Sequence, residues 1–220
     1  MITLRYRAVL FDLDGTLVDS YNALTEAVNH ARRTHELPEL SSTHIREMVG
    51  EGLERLLQKA FERAELSHSI VQAFESRYDD ICCAESRVLS EVEVTLRELH
   101  QLGVSMAVCT NKPTVFSKKI LDFLELSHYF RAIVGPDVAG ARKPEARHLD
   151  VTLAATECPR EEALFVGDMP IDVRAARNSG IDVAVVATGS STREQLTASY
   201  PDHFLERFSD LLKIVRREAA

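Results

Sequence analysis

The sequence predicts an α/β protein: a doubly wound parallel sheet with an all-helical segment inserted after its first strand. Three observations carry this. From about residue 90 onward, short apolar runs alternate with stretches of helical periodicity, the pattern of βαβ units. Residues 19–88 break that alternation with amphipathic helices alone and are too long for a loop. Polar and acidic residues stand directly after successive apolar runs, and in a parallel sheet those strand ends share one edge, where ligands bind.

The elements follow in order. Ala8 to Phe11 is a short apolar run of the kind buried on both faces. It stops at Asp12 and Asp14, which share a face of an extended chain, and Gly15 then permits a sharp turn. Ser20 opens a helix over about 20–37 that Pro38 ends. Ser41 or Ser42 opens a second, through Met48. After Gly50-Glu51-Gly52, apolar residues Leu53, Leu56, Leu57, Ala60, Phe61 and Ala64 recur at helical spacing. A fourth helix covers about 67–83, and no strand is expected within 19–88. Ser90 and Glu93 have capping-box spacing before a helix that Gly103 closes. Further strands are expected at 104–109, 130–134, 163–166 and 182–187. Helices are expected at 113–126, 145–157, 170–180, near 192–199 and near 209–219. The expected organisation is a Rossmann-like α/β core of residues 1–18 and 89–220, with a helical cap of residues 19–88.

Composition bounds the function. At 220 residues, 45% hydrophobic and 27% charged, the chain can bury a real core. A formal charge of −8 argues against a nucleic-acid surface. No apolar run approaches the roughly 20 residues that span a bilayer, and the first residues lack the apolar stretch of a secretory signal. Cys82, Cys83, Cys109 and Cys158 have no metal-ligand spacing, as expected of reduced thiols in a cytoplasmic protein. No nucleic-acid or membrane partner is expected on these grounds, and the expected state is a monomer or dimer.

Four strand ends carry the chemistry. Asp12 and Asp14 follow the first strand, and Thr110 and Asn111 the second. Lys143 lies in the connection after the third, and Asp168 and Asp172 follow the fourth. Taken singly, Thr110-Asn111 could cap a helix, Lys143 could be a solvated lysine, and Asp168 and Asp172 could serve a helix dipole. Together they supply carboxylates for a hard divalent cation, polar donors and, in Lys143, one cation among them. That is the kit for holding and transferring a phosphoryl group.

These motifs resemble the haloacid dehalogenase superfamily of phosphohydrolases over nearly the whole chain: Asp12-x-Asp14-Gly15-Thr16, Thr110, Lys143-Pro144, and Gly167-Asp168-x-x-x-Asp172. The helical insertion, Gly50-Glu51-Gly52-Leu53 and Thr110-Asn111-Lys112-Pro113 are similar to the phosphoglycolate phosphatase group in particular. The resemblance implies Asp12 as nucleophile, forming an aspartyl-phosphate, and Asp14 as the acid and then the base. It implies Mg²⁺ held by Asp12, the Asp14 backbone carbonyl and Asp168, with Asp172 in support. It implies phosphoryl oxygens bound by Gly15 and neighbouring N–H groups, Thr110, Asn111 and Lys143. Met169, Ala146 and Ser90-Glu91 depart from the family pattern without removing a catalytic group.

Other readings differ in what the site does. Resembling dehalogenases lack the second acid, here Asp14. Phosphonate hydrolysis needs a cap lysine, and the only one is Lys59, deep in a helix. A sugar phosphomutase or a pyrophosphate or nucleotide phosphatase shares the same acid pair. A phosphoacceptor switch also clusters Asp, Thr, Lys and Mg²⁺, but places its acceptor after a middle strand. Specificity is expected from the cap. The two glycines of Gly50-Glu51-Gly52 let backbone approach a ligand, and Arg46 or Arg55 are cations for a carboxylate.

Overall fold

The structure is a computed structural model that describes residues 3–216. Its strands are β1 (Ala8–Phe11), β2 (Val18–Asp19), β3 (Arg87–Val88), β4 (Ser105–Cys109), β5 (Ile133–Val134), β6 (Ala163–Gly167), β7 (Asp182–Val186) and β8 (His203–Leu205). Six of them form one parallel sheet in the order β5-β4-β1-β6-β7-β8. The chain builds outward from β1 on one side and then crosses over to build outward on the other. The end of β1 is therefore the switch point, where crossovers diverge and leave a crevice.

Alternation along the strands explains why they read as continuous apolar runs. Val9, Phe11, Met106, Val108, Leu164 and Val166 face one hydrophobic layer. Ala8, Leu10, Ala107, Cys109, Ala163 and Phe165 face the other. Both layers are covered, so neither set can be polar.

The helices are α1 (Tyr21–Thr34), α2 (Ser42–Met48), α3 (Leu53–Phe61), α4 (His68–Ile81), α5 (Val92–Gln101), α6 (Thr114–Phe123), α7 (Pro136–Ala139), α8 (Ala146–Ala154), α9 (Pro170–Ser179), α10 (Arg193–Ala198) and α11 (Leu211–Val215). In the insertion, Ala27, Val28 and Ala31 of α1 join one apolar cluster with Leu57 and Phe61 of α3 and Ile70 and Phe74 of α4. That cluster runs on into the layer beneath the sheet, which includes Phe11 and Leu17.

Several expectations are corrected. The insertion does not lack strands at its boundaries: β2 and β3 pair antiparallel, Val18 with Val88 and Asp19 with Arg87. Two-residue strands are too short to leave a periodic signal. Helix α1 ends at Thr34, before Pro38, because Glu36 turns left-handed (φ 57°) and Leu37 N–H bonds the Arg32 carbonyl at 2.9 Å. The Ser90–Glu93 capping box does not form; Glu91 is the N-cap, and its carboxylate is engaged by Arg207 and by the Ser209 N–H. Strand β8 was not expected at all. The terminal helix is Leu211–Val215, after a 3-10 turn at Phe208–Asp210 and before extended Arg216, and residues 217–219 of its expected span lie outside the described residues.

Candidate active site

Asp12 leaves the end of β1 with its N–H bonded to the Val166 carbonyl at 2.9 Å, which fixes the strand end against β6. Its carboxylate, 6% exposed, sits 2.8 Å from the Lys143 ammonium. Lys143 in turn lies 2.8 Å from Asp172 Oδ1. Burial pulls the lysine pKa down, but the Asp12 and Asp172 carboxylates more than offset that, so it stays charged above its ordinary range.

Asp168 and Asp172 bracket the start of α9. Asp172 Oδ2 accepts from the Asp168 and Met169 N–H groups at 3.1 and 3.0 Å, so the residue caps its own helix. Thr16 donates to Asp168 Oδ1 at 3.0 Å and the Ser190 N–H to Oδ2 at 3.2 Å. Carboxylate oxygens of Asp12, Asp168 and Asp172 all lie within 4.8 Å of one another. Burial, then the Asp172 and Asp12 charges, push the Asp168 carboxyl well above the usual range. No described Lys or Arg pairs with it. A buried carboxyl without a counter-charge, facing two others, fits an oxygen-seeking divalent cation.

Backbone closes over this cluster. Gly15 has φ 85°, and a Cβ there would meet Asp168 Oδ2 at 2.6 Å and the Tyr21 hydroxyl at 2.7 Å. A Cβ on Gly189 would fall 1.6 Å from Asp168 Oδ2. Both positions need glycine, the second for contact alone.

Asp14 faces elsewhere. Its carboxylate accepts from the Ser20 hydroxyl and from the Lys112 ammonium, the latter at 2.6 Å. The two aspartates border one cavity of about 50 Å³ between the strand ends and the insertion. Thr110 and Asn111 line it from the core, and Gly50 and Gly52 from the insertion.

Family comparison places this geometry. The haloacid dehalogenase-like hydrolase family matches residues 9–186, which include every strand end described above. The chain belongs to the haloacid dehalogenase-like hydrolases. Phosphoglycolate phosphatase of Photorhabdus laumondii is 34% identical over 215 residues, covering 95% of this chain and 92% of that protein. Phosphoglycolate phosphatase of Aquifex aeolicus is 34% identical over 209 residues, covering 95% and 96%. A crystal structure of a predicted phosphoglycolate phosphatase from Haemophilus somnus 129PT superposes with a TM-score of 0.87 at 29% identity, covering 96% of this chain and 98% of that one. This haloacid dehalogenase-like hydrolase is thus a phosphatase of the phosphoglycolate phosphatase-like kind.

Within the family frame, the expected residues arrive in altered company. Asp14 places its carboxylate outside the cluster of Asp12, Asp168 and Asp172, on Ser20 and Lys112. Lys143 is not the one cation, because Lys112 pairs with Asp14. Asn111 has both amide hydrogens engaged, donating to the Gly50 and Lys143 carbonyls at 3.0 and 3.2 Å, while its oxygen accepts from the Lys143 N–H at 2.8 Å. It ties three loops together, and its side chain is not free for a phosphoryl group.

Neither expected cap arginine lines the cavity. Arg46 donates to the Thr188 and Gly189 carbonyls at 3.0 and 2.7 Å, and Arg55 to Gln58 at 3.0 Å. Glu51 turns outward to Lys59, at 2.7 Å. Met169 packs on Gly50, where a Cβ would meet its sulfur at 2.1 Å. Lys112, Thr16, Ser20 and the 188–190 loop are the contributors that reading the sequence missed. Thr16 and Lys112 left a trace as members of the quoted motifs and Ser20 as a helix cap, each without its role here, and the 188–190 loop left none.

Proposed function

We propose that this protein is a Mg²⁺-dependent phosphomonoester hydrolase that works through an aspartyl-phosphate on Asp12. Its substrate would be a small phosphorylated metabolite such as 2-phosphoglycolate. The observation that carries the reading is the separation of the acid pair: Asp12 in the acidic cluster beside Lys143, Asp14 two residues on but held by Ser20 and Lys112. That separation supports giving one carboxylate the attack and the other the proton.

Asp12 attacks phosphorus through a carboxylate oxygen while the bond to the leaving oxygen breaks, and Asp14 gives that oxygen its proton. Asp14 then takes a proton from the water that attacks the acyl phosphate, releasing phosphate and restoring Asp12. Lys143 neutralises phosphoryl oxygens beside Asp12, and Thr110 offers its hydroxyl there. Asp12, Asp168 and the Asp14 carbonyl would hold Mg²⁺, with Asp172 in support since both its oxygens already accept hydrogen bonds. The cation supplies the charge neutralisation that lets a phosphate dianion approach carboxylates. In this reading residues 19–88 act as a cap domain over a core made of residues 1–18 and 89–220.

The test is a panel of 2-phosphoglycolate, sugar phosphates, nucleotides and pyrophosphate, assayed with Mg²⁺ and again in excess chelator. Turnover of phosphoglycolate that disappears with chelator and in Asp12→Asn is expected. Asp14→Asn should retain the nucleophile and lose about 10²- to 10⁴-fold in rate, the usual scale of acid–base catalysis. Full activity in chelator, or an active Asp12→Asn, would overturn the assignment.

A further inference from the structure

With Arg46 and Arg55 directed elsewhere, the cavity beside the acid pair has a single basic residue in its lining, Lys112. The side chain leaves the loop after β4 and is 7% exposed. Its surroundings are apolar: Leu24, Val49, Leu53, Leu56, Phe74 and Phe116 supply most of the remaining wall. An ammonium in such a place must be paired. Asp14 gives it one oxygen at 2.6 Å, and the Tyr78 ring lies 5.1 Å away. An ammonium has three hydrogens, so donor capacity is left over for a ligand.

A second, independent observation points the same way. Tyr78, from α4, also lines the cavity and is 1% exposed, yet its buried hydroxyl finds no hydrogen-bond partner of good geometry. Phe74 and Phe116 hold the ring at 5.4 and 5.1 Å between centroids, so it cannot swing to seek one. A buried hydroxyl beside a buried cation, both on one cavity, is an arrangement completed by a bound anion.

We infer that Lys112, aided by the Tyr78 hydroxyl, binds an anionic group on the leaving portion of the substrate and so selects short phosphorylated acids over neutral phosphomonoesters. The inference rests on the phosphomonoesterase reading above and adds the residue that reads the leaving group. An apolar wall with one cation in it favours a leaving group that carries a single anionic group near the ester oxygen. Lys112 also touches Asp14, so its loss affects every substrate to some degree. The quantity that isolates recognition is therefore a ratio between two esters.

The experiment compares 2-phosphoglycolate with ethyl phosphate, which lacks the carboxylate, in wild type, Lys112→Met and Tyr78→Phe. The ratio of kcat/KM for the two esters should fall about 10- to 100-fold in Lys112→Met, the scale of a hydrogen bond to a charged group. In Tyr78→Phe it should fall a few-fold, through KM, with Tm unchanged or raised because a buried unpaired hydroxyl is removed. A structural role alone would lower both esters together. The same ratio is read as Kd by titrating each ester into Asp12→Asn protein with and without each change, Tyr78→Phe standing in if Lys112→Met does not fold. An unchanged ratio in folded variants would overturn the inference. Wild type that turned over neither ester would overturn the phosphatase reading instead, while the Kd ratio still judged Lys112.

Discussion

Two aspartates two residues apart acquire different chemistry because their neighbours differ, and the neighbours come from distant sequence. Asp12 meets Lys143 and the Asp168–Asp172 pair, while Asp14 meets Ser20 and Lys112. The carboxylates themselves were legible, since acids directly after an apolar strand are costly unless something neutralises them. Lys112 and Gly189 were not. A lysine in a loop has a solvated alternative, and Gly189 is needed only because Asp168 lies against it.

His148 shows the same dependence on context. It is fully buried on α8, its Nε2 donates to the Val134 carbonyl at 3.1 Å, and its Nδ1 has no partner. Burial lowers its pKa to about 4. The unfolded chain therefore binds this proton first as pH falls from about 6.5, and the folded chain only near 4. The stability tied to neutral His148 is whole above 6.5 and is lost progressively between those values, on the order of 3 kcal/mol in all. Urea midpoints measured from pH 7 to 4 should decline more steeply in wild type than in His148→Gln. Parallel curves would show that the imidazole titrates alike in both states.

At the scale of elements, long amphipathic helices and strands within an apolar run announce themselves, and short elements outside such a run do not. Helices α3 and α9 begin where spacing and Pro170 put them, but β2, β3 and β8 have two or three residues each and no period to read. The turn between α2 and α3 was legible as glycines, but its partners were not. Asn111 holds its Gly50 carbonyl, Gly52 lies against the Asn111 backbone, and Met169 fills the space a side chain at 50 would take.

Gly50→Ala therefore carries two separable costs. A Cβ collides with the Met169 sulfur at 2.1 Å, and alanine at φ 121° is strained, worth about 1–3 kcal/mol. Because the thioether end is flexible, Met169→Ala in the same chain should relieve the collision and leave the strain. The single variant should raise KM for the substrate, and the double variant should recover part of that while Tm stays low. Equal KM in the two variants would mean that Met169 does not set the position of the turn.

For the whole molecule, the open question is what holds the helical insertion over the strand ends. Its location after the first strand was legible; its seating was not, because the ties run to carbonyls that any residue supplies. Beyond the shared apolar cluster, polar ties join the insertion to the core. Asn111 reaches Gly50, Lys119 donates to the Asp79 carbonyl and carboxylate at 2.7 and 2.6 Å, and Glu54 lies 3.7 Å from Arg142 in an exposed pair worth at most about 1 kcal/mol. Arg46 of α2 donates to the Thr188 and Gly189 carbonyls while its guanidinium stacks 4.2 Å from the Tyr21 ring. Thr188 in turn donates to the Gly15 carbonyl at 2.6 Å, so this tie continues into the loop that carries both aspartates. Arg46→Met removes two hydrogen bonds at the point where insertion, 188–190 loop and aspartate loop meet. The carbonyls it releases can find water, so the fold should survive with the insertion less firmly seated. A looser seat widens the cavity between the strand ends and the insertion. KM for 2-phosphoglycolate should rise several-fold, while activity on a nucleoside monophosphate should rise relative to it. Hydrogen exchange at 50–52 should quicken. Unchanged substrate ranking with unchanged exchange would shift the closing role from Arg46 to Asn111, which holds the same turn.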